Sequence, residues 1–362
     1  MKKIKVNLKK RSYSICIGKN IAPTLDKQLK NLGLGNYAVV ITNKTIYSVY
    51  KKLIPKIFPK SKNLEFKFHI LPDTERIKSF EYVSKIINST SLLSYKKRVF
   101  FICWGGGVVG DLGGFIASIY KRGCPVVQIP TTLLSQIDSS IGGKTAIDLK
   151  VAKNMVGSFW QPSLVLIDTL FLKTLKTSQI RQGLAEGIKY ALIKDKKLFT
   201  FLEKNCRNLL GKDENALAGL VCRCAKIKTE VVEKDEREEK GIRTILNFGH
   251  TIGHAIEASS DYKTPHGNAV ALGIIAALYI SEKEGFLAKA KIIPKVTALI
   301  KNAGLPVKIA LDKKRIITAL KKDKKFIRGK TRLVLIRDIG KVSVKEDIKI
   351  SSIAKGLSLL TL

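Results

Sequence analysis

The sequence predicts an α/β domain over residues 1–176, followed by a mostly α-helical domain over residues 177–362. Up to Lys176, short runs of β-branched residues alternate with helical stretches, which is typical of a parallel sheet flanked by helices. After Lys176 the strand signals nearly vanish, and apolar residues recur at helical spacing. A chain of 362 residues is also long enough to bury two cores rather than one.

The elements of the first domain follow one another as strand and helix. The predicted strands are YAVVITN, LEFKFHILP, RVFFICW, PVVQIPTT and SLVLID. Helices are predicted through TIYSVYKKLIPKIF, through SFEYVSKIINSTSLL and from about Val108 onward. This alternation predicts a Rossmann-like N-terminal domain.

The second domain is predicted to be helical with one small hairpin. The helical segments are IRQGLAEGIKYALI, ALAGLVCRCAKIKTEVVEK and NAVALGIIAALYISEKEGFL, and RLVLIRDIGKVSVKE suggests the hairpin. The longest uncharged apolar run, AVALGIIAALYI, is too short to span a bilayer and predicts a buried helix.

Charge and cysteine usage narrow the function classes. Lysine and arginine number 66 against 29 acidic residues, and the resulting net charge of +37 attracts polyanions. The lysines are spread along the chain without interleaved aromatic residues, so charge alone does not indicate a nucleic-acid-binding protein. The six cysteines form no C-x-x-C pair, and the basic N-terminus lacks the apolar region of a signal peptide. We therefore expect a cytoplasmic protein with reduced thiols and no membrane partner.

A glycine turn follows the strand RVFFICW. Gly105, Gly107 and Gly110 match G-x-G-x-x-G, in which backbone N–H groups at a helix N-terminus can approach a pyrophosphate. However, this is not the first strand of the chain, and no acidic residue follows about twenty positions later. The segment therefore indicates either a nucleotide site of unusual position or a simple tight turn.

The stretch NFGHTIGHAIEASSDYKTPHG holds three of the four histidines, His250, His254 and His266. His250 and His254 are four residues apart, which places them on one helical face, but the H-E-x-x-H pattern of zinc proteases is absent. A catalytic metal usually takes three His or carboxylate ligands. His266 could return to this face, and Glu186, in an otherwise apolar helical segment, is the best candidate for the carboxylate. The alternative is that the histidines only cap or pack locally.

Seven blocks between about residue 70 and residue 330 carry a family resemblance. They are PDTERIKS, GGGVVGD, IPTTLLSQIDSSIGGKTAID, AKNMVGSFWQPS, GLAEGIKYA, LNFGHTIGHAIEA and the His-Gly pair that starts at His266. In this order they resemble the signature blocks of the dehydroquinate synthase family of sugar phosphate cyclases.

The resemblance implies a phosphorus–oxygen lyase of the shikimate pathway of aromatic amino acid biosynthesis, dependent on NAD and a divalent metal. Its reaction would convert 3-deoxy-D-arabino-heptulosonate 7-phosphate into 3-dehydroquinate and phosphate. The implied steps are transient oxidation by NAD, β-elimination of phosphate, re-reduction and intramolecular aldol closure. The first domain would then bind NAD, and the second would bind metal and substrate.

The resemblance also implies the site residues on the metal side. Glu186, His250 and His266 match the metal ligands, with zinc as the expected ion and cobalt as an alternative. The positions that match catalytic residues are His254, Glu239, Lys144 and Lys189, of which His254 would relay a proton.

Two larger sets of residues match cofactor and substrate contacts. The NAD set is Asp73, Thr74, Glu75, Arg76, Ile77, Lys78, Gly106, Gly107, Val108, Val109, Gly110, Asp111, Thr131, Thr132, Lys144, Lys153, Phe171, Leu172, Lys173 and Thr174, with Thr42 to Lys44 as a further adenosine-side candidate. The substrate set is Arg122, Asp138, Asn154, Lys144, Lys189, Lys228, Arg243, Asn247 and Lys324. Arg122 matches an arginine that the family delivers across a dimer interface, which implies a homodimer.

The sequence departs from the family pattern at two places. DEREEKGIR is one residue longer than the corresponding block, so the base could be Glu238 or Glu239, and alignment on Gly241 and Arg243 favours Glu239. The common HGEAV block reads HGNAV, so Asn268 replaces a carboxylate that could help to orient His266. In the lysine run KKDKKF, the register leaves Lys324 or Lys325 as the phosphate-side lysine.

Three rival functions remain. Another sugar phosphate cyclase would use the same metal and NAD on a different sugar phosphate. A metal-dependent alcohol dehydrogenase would show net turnover of NAD, and it would not need so many anion-binding lysines. A nucleic-acid-binding or scaffold protein would have no reason to keep Glu186, His250 and His266 together.

Overall fold

The computed structural model describes residues 1–93, 95–149, 152–287, 291–310, 312–321, 326–327 and 330–360. The chain divides into two compact units. The first contains Met1–Leu175 and Lys228–Glu233, and the second contains Lys176–Ile227 and Lys234–Leu362.

The first unit is built on a seven-stranded sheet with the order β1-β2-β9-β6-β5-β3-β4. Its strands are β1 (Lys2–Val6), β2 (Tyr13–Gly18), β3 (Tyr37–Asn43), β4 (Glu65–Leu71), β5 (Val99–Gly105), β6 (Val126–Pro130) and β9 (Leu164–Asp168). β1 pairs with β2 in antiparallel fashion, and all the other pairs are parallel. The strands β7 (Lys144–Leu149) and β8 (Ala152–Phe159) form a separate antiparallel hairpin.

The central strands are mostly apolar because both faces of the sheet are covered. Every residue of β5, β6 and β9 is buried. Alternate residues of β5 enter two different cores: Ile102 and Trp104 lie in one, and Phe101 and Cys103 lie in the other. This arrangement explains why the predicted strands read as continuous hydrophobic runs rather than as an alternating pattern.

Among the residues described for the first unit, five helices accompany this sheet. They are α1 (Leu25–Leu32), α2 (Lys44–Val49), α3 (Ile54–Ile57), α4 (Phe80–Leu93) and α5 (Gly107–Ile119). The segment predicted as one helix, TIYSVYKKLIPKIF, is divided into α2, a 3₁₀ turn and α3, and Pro55 lies in the first turn of α3, where a proline is tolerated.

The second unit is mostly helical. Its helices are α6 (Thr177–Lys194), α7 (Lys196–Leu210), α8 (Glu214–Lys234), α9 (His250–Ser259), α10 (His266–Lys283), α11 (Ile292–Asn302), α12 (Lys313–Lys321) and α13 (Ile350–Ser358). A three-stranded antiparallel sheet contains β10 (Phe326–Ile327), β11 (Lys330–Asp338) and β12 (Lys341–Lys349). The predicted buried helix is α10, and most of its residues are buried. Within the described ranges, none of the helices combines the length and apolarity that a membrane crossing requires.

The predicted fold class, a Rossmann-like α/β region followed by a mostly helical region, is confirmed. The strands β1 and β2 and the hairpin β7–β8 were not predicted. β1 is lysine-rich and largely exposed, and residues of β8 alternate between half-buried and exposed, so neither carries a buried apolar run. The final part of α8, Lys228–Glu233, belongs to the first unit although it lies beyond residue 176 in the sequence.

Candidate active site

A cluster of one carboxylate and three histidines lies in the second unit. Glu186 is in the middle of α6, whereas His250 and His266 are the first residues of α9 and α10. The two helices approach closely because glycines line their contact: a Cβ atom on Gly273 would lie 2.0 Å from the carbonyl oxygen of Gly249. Gly249 also has a φ of 77°, a conformation that favours glycine. The glycines in the LNFGHTIGH block therefore bring the two histidines together.

The predicted ligands Glu186, His250 and His266 converge on one point. Glu186 Oε1 lies 3.1 Å from His250 Nε2 and 3.3 Å from His266 Nε2. A tetrahedral ion with bonds of about 2.0–2.1 Å to nitrogen and oxygen keeps its ligand atoms about 3.3 Å apart. The spacing and the chemistry of these three donors therefore fit a divalent metal.

The electrostatics of the cluster favour a cation beside the Glu186 carboxylate. Burial alone would raise the pKa of the Glu186 carboxyl, but Lys189 and His250 beside it hold that pKa well below its usual range. Burial would lower the pKa of His266, but hydrogen bonds to Glu186 and Glu257 raise it to about 10. Glu186 is completely buried, so its carboxylate depends on these positive partners. A divalent metal supplies charge of the same sign.

The second nitrogen of each ligand histidine has its own partner. His250 Nδ1 lies 3.2 Å from the carbonyl oxygen of Phe248, and His266 Nδ1 lies 3.3 Å from Glu257 Oε1. An Nδ1–H group that donates to these oxygens leaves Nε2 with its lone pair toward the metal position. Glu257 thus supplies the carboxylate that the HGNAV block lacks. Asn268 instead accepts a hydrogen bond of 3.1 Å from Gln182 Nε2.

The third histidine of the segment borders the ligand set. The ring centroid of His254 lies 5.3 Å from that of His250 and 6.2 Å from that of His266. His254 is exposed, whereas Glu186 is buried. This position lets His254 contact a bound molecule while Glu186, His250 and His266 hold a metal, as its predicted proton-relay role requires.

Two further predicted residues lie on the same unit. Lys189 is 2% exposed and forms an ion pair with Glu186, one turn earlier on α6. Arg243 is 1% exposed, and the 3₁₀ segment Ile242–Asn247 that contains it packs against α6. Arg243 Nε lies 3.5 Å from Glu238 Oε1, whereas Glu239 is exposed. The structure therefore brings Glu238 to Arg243, and the predicted role of Glu239 as a base remains a prediction.

Most of the residues predicted to contact NAD follow the carboxyl ends of parallel strands in the first unit, whereas Lys144 and Lys153 lie on the β7–β8 hairpin. The chain passes from β3 to β4 on one side and then to β5 on the other side of β3, so the strand order reverses between β3 and β5. Ligands of open α/β sheets bind outside the strand ends at such a reversal. The segments that follow these ends are Lys44, Asp73–Lys78, Gly106–Asp111, Thr131–Thr132 and Phe171–Thr174.

The glycine turn forms an open helix N-terminus. Gly106 precedes α5 without any side-chain cap, so the first N–H groups of α5 are available to an anion. A Cβ atom on Gly106 or Gly107 would lie 3.2 Å from Thr132 Cγ2 or 3.1 Å from Ser139 Oγ, respectively. Among the described residues, Thr42 Oγ1, Trp104 Nε1 and Thr131 Oγ1 at these strand ends are buried without a hydrogen-bond partner. Unpaired donors and an uncapped helix fit a polar, anionic cofactor such as a dinucleotide.

Lys78 ties three segments of the first unit together. Its Nζ donates to Asp111 Oδ2 at 2.9 Å and to Asn154 Oδ1, and it lies 3.7 Å from Asp148 Oδ1. Burial raises the pKa of the Asp111 carboxyl, although Lys78 partly lowers it. Asn154 adopts a φ of 55° and its N–H donates to Asp148 at 2.8 Å. The loop after β4, helix α5 and the β7–β8 hairpin are thereby held in one arrangement.

The remaining predicted residues of the first unit are placed as follows. Lys228 Nζ donates to Asp138 Oδ1 at 2.6 Å and to the Asp138 carbonyl at 2.7 Å, and Asp138 lies on a π-helical turn. Lys153 pairs with Glu75 at 2.5 Å. Lys144 and Arg122 are exposed, and Arg122 has a φ of 65° in the turn before β6. Lys324 and its alternative Lys325 lie outside the described residues.

Two adjacent segments of the chain match the two domains of one protein family. The N-terminal domain of 3-dehydroquinate synthase matches residues 68–182, and the C-terminal domain matches residues 183–326. A 3-dehydroquinate synthase of Desulforamulus reducens is 41% identical over 360 residues, which cover 98% of this chain and 99% of that protein. The chain belongs to the 3-dehydroquinate synthase family.

Two solved structures show the same fold. A 2-deoxy-scyllo-inosose synthase complexed with carbaglucose-6-phosphate, NAD+ and Co2+ has a TM-score of 0.88 at 22% identity, with 98% of this chain and 99% of that chain covered. A 2-epi-5-epi-valiolone synthase from Streptomyces hygroscopicus with NAD+ and Zn2+ bound has a TM-score of 0.85 at 27% identity, with 98% of both chains covered.

The family resemblance did not identify Glu257. Glu257 follows His250 by seven residues and His254 by three, so all three lie near one face of α9. This spacing was a usable signal within the HTIGHAIEA block. Asp235, whose carboxylate accepts backbone N–H groups next to Arg243, was also missed, because its partners are main-chain atoms and leave no mark in the residue pattern.

Proposed function

We propose that this chain catalyses the 3-dehydroquinate synthase reaction: conversion of 3-deoxy-D-arabino-heptulosonate 7-phosphate to 3-dehydroquinate and phosphate. The observation that carries the proposal is the convergence of Glu186, His250 and His266 at metal-ligand spacing, within a chain of this family. The reaction belongs to the shikimate pathway and leads toward the aromatic amino acids.

The proposed cofactors are NAD and a divalent metal, zinc or cobalt. Relatives of the same fold carry NAD+ with Co2+ or Zn2+. Glu186, His250 and His266 would hold the metal, which when bound polarises a substrate hydroxyl and ketone as a Lewis acid. The open N-terminus of α5 and the neighbouring strand ends would hold NAD, which when bound accepts and returns one hydride.

The chain's own residues would hold the substrate anions. A substrate with a carboxylate and a phosphate requires several fixed cations and hydrogen-bond donors. Lys228 and Arg243 are each about 5% exposed or less, so their charges are already desolvated and oriented before any ligand arrives. Asp138 fixes the ammonium of Lys228 at 2.6 Å. Asn154, Lys144 and Asn247 complete the proposed substrate set.

Proton movement is assigned to His254 and to a glutamate beside Arg243. His254 is exposed and borders the proposed ligands, so its imidazole can take a proton from a substrate hydroxyl and give one back. Lys189 keeps Glu186 ionised through their ion pair, which preserves a negative ligand oxygen. Neither His254 nor Lys189 is consumed in the proposed reaction, and NAD likewise ends in the oxidation state in which it began.

We further propose that the enzyme is a homodimer and works in the cytoplasm. Arg122 is exposed on a turn with positive φ at Lys121 and Arg122, a rigid shape suited to present one side chain to a second copy. Sugar phosphates are charged and do not cross a lipid bilayer unaided, so their enzymes work in the compartment where they are made.

The test is phosphate release from the heptulosonate phosphate by purified protein, with NAD and zinc added together and each withheld. Absorbance of NADH is followed in the same cuvette, and the carbon product is identified by mass spectrometry and NMR. We expect phosphate release that depends on both additives, with 3-dehydroquinate formed and no accumulation of NADH. Steady NADH without phosphate would indicate a dehydrogenase and contradict the proposal.

A parallel assay with glucose 6-phosphate tests the remaining rival function, that of another sugar phosphate cyclase. This sugar has a phosphate but no carboxylate, so a cyclase that needs Arg243 and the buried lysines for two anionic groups should turn it over poorly. Comparable rates on both sugars would favour another sugar phosphate cyclase.

A further inference from the structure

A buried carboxylate outside the metal cluster organises the loop before the histidine segment. Asp235 follows α8 directly and is 3% exposed. Its Oδ1 accepts the N–H of Lys240 at 3.0 Å, and its Oδ2 accepts the N–H of Arg243 at 3.0 Å. The N–H groups of Ile242 and Glu239 also face this carboxylate. A buried charge is tolerated only when it is satisfied in this way.

The loop around Asp235 adopts conformations that need such an anchor. Glu238 has a φ of 62° and Gly241 a φ of 72°, and a residue other than glycine occupies this left-handed region only at a cost. Successive N–H groups that point to one oxygen pair form an anion-binding concavity, which the carboxylate of Asp235 fills from within the chain. Burial would raise the pKa of Asp235, but these backbone hydrogen bonds hold it below its usual value. The carboxylate therefore remains charged and stabilises the turn.

The guanidinium of Arg243 takes its position from the same loop. Arg243 is 1% exposed, its Nη1 donates to the carbonyl of Glu236 at 2.8 Å, and its Nε lies 3.5 Å from Glu238 Oε1. Both contacts are to residues of the turn that Asp235 closes, and Asp235 also fixes the backbone N–H of Arg243 itself. A shift of the turn would therefore move the guanidinium and its two partners together.

The anchored segment continues into the candidate metal site. Ile242–Asn247 packs against α6, which carries Glu186 and Lys189, and then leads to His250 through two residues. We propose that Asp235 is a positioning residue that fixes the Arg243 guanidinium for recognition of the anionic substrate. The inference rests on the proposed function, in which Arg243 contacts that substrate.

The change Asp235→Asn tests whether the carboxylate of Asp235 positions Arg243. Asparagine has the same shape, but its NH2 group cannot accept a hydrogen bond, so at least one backbone N–H in the turn loses its partner. We expect kcat/KM for the heptulosonate phosphate to fall by about 10- to 100-fold, mainly through KM, which is the range for a hydrogen bond to a charged group. Metal content and the KM for NAD should stay within about twofold of wild type, because a positioning effect is local.

A double-mutant cycle gives the decisive readout. Asp235→Asn is measured in the wild-type chain and in Arg243→Lys, which keeps the charge but loses the guanidinium fork. If Asp235 acts through Arg243, its substitution should cost less than about threefold in the Arg243→Lys background. The matched control is Asp213→Asn, which removes a carboxylate that accepts the Ala216 N–H at 2.8 Å at the other end of α8, and which should leave KM unchanged.

The possible outcomes separate the two proposals. If the wild-type enzyme is active but the two substitutions are additive, or Asp235→Asn loses metal and activity together, the positioning role is wrong and the proposed function stands. If Asp235→Asn does not fold, Asp235→Glu replaces it in the cycle, since it keeps the charge and both acceptors while it displaces them by one methylene. A wild-type protein that does not act on the heptulosonate phosphate would overturn the proposed function and this inference with it.

Discussion

The candidate metal cluster and the strand-end edge of the first unit are built in different ways. In the cluster, two histidines bring their Nε2 atoms within 3.1–3.3 Å of one carboxylate oxygen, Glu186 Oε1. At the edge, the polar groups are distributed over the ends of several strands, and the uncapped N–H groups of α5 carry much of the proposed binding. Loss of one side chain from the cluster should abolish metal binding. A single substitution at the edge should only reduce the affinity for NAD, because many main-chain groups share the binding.

The largest predicted effect separates two histidines of the cluster. His250→Ala removes a donor that lies 3.1 Å from Glu186 Oε1, so we expect bound metal and activity to be lost together. His254→Ala should retain metal and lower kcat by about 10²–10⁴-fold, the usual contribution of a proton-transfer group. Metal content is measured by mass spectrometry on dialysed protein, and activity is measured by phosphate release.

His69 provides the control for the removal of an imidazole. It lies on β4 in the first unit, 3.5 Å from Ser89 Oγ, and His69→Ala should retain both metal and rate. The reverse result for the two cluster histidines, with metal lost in His254→Ala and retained in His250→Ala, would show that the ligand has been assigned to the wrong residue.

The next effect decides between two adjacent glutamates. Glu238 lies 3.5 Å from Arg243 and is half-buried, whereas Glu239 is exposed. We therefore expect Glu238→Gln to lower kcat by about 10²-fold or more, while Glu239→Gln stays close to wild type. Each variant is the other's control, because the substitution and the loop are the same. A large loss in Glu239→Gln alone would restore the assignment made from the sequence.

A smaller effect concerns the partner of a metal ligand. Glu257→Gln weakens the contact of 3.3 Å that orients His266, and loss of such a partner usually costs about 10–100-fold in metal affinity. Metal affinity is measured by competition with a chelator of known affinity. Glu282→Gln, at an exposed position on α10, is the control and should not change it. Equal affinities in all three proteins would mean that Glu257 is only a neighbour of His266.

The same contrast explains what could be predicted from the sequence. The buried strands β3, β5, β6 and β9 were visible because they are mostly apolar runs rich in β-branched and aromatic residues, and the metal cluster was visible because histidine is rare in this chain. The hairpin β7–β8 carries no apolar run, so its strands were missed. Local pattern is informative where burial or a rare residue type dictates the sequence.

Contacts made through the main chain were harder to predict. Asp235 and the turn at Glu238 depend on backbone N–H groups and a positive φ, neither of which a single sequence reveals. Glu257 is different, because its contact with His266 is between side chains and its spacing to His250 and His254 was a usable signal. The reversal of strand order between β3 and β5, which locates the proposed cofactor edge, is a property of the topology and not of any one segment.

The smallest predicted effect tests whether one substitution at the strand-end edge of the first unit only reduces the affinity for NAD. Gly106 has a φ of −77° and a ψ of −171°, which alanine adopts without strain, so Gly106→Ala adds only a methyl group, 3.2 Å from Thr132 Cγ2. That methyl group would adjoin the uncapped N–H groups of α5 that are proposed to bind the pyrophosphate, and we expect the dissociation constant of NAD to rise by about tenfold, equivalent to about 1.4 kcal/mol. Fluorescence titration with NADH measures this change, and Gly211→Ala, at the end of α7 in the second unit, is the control. Bound metal should not change in either variant. A complete loss of NAD binding would contradict the view that NAD is bound by many weak contacts. It would show that NAD binding depends on the glycine turn as strongly as metal binding depends on each ligand of the cluster.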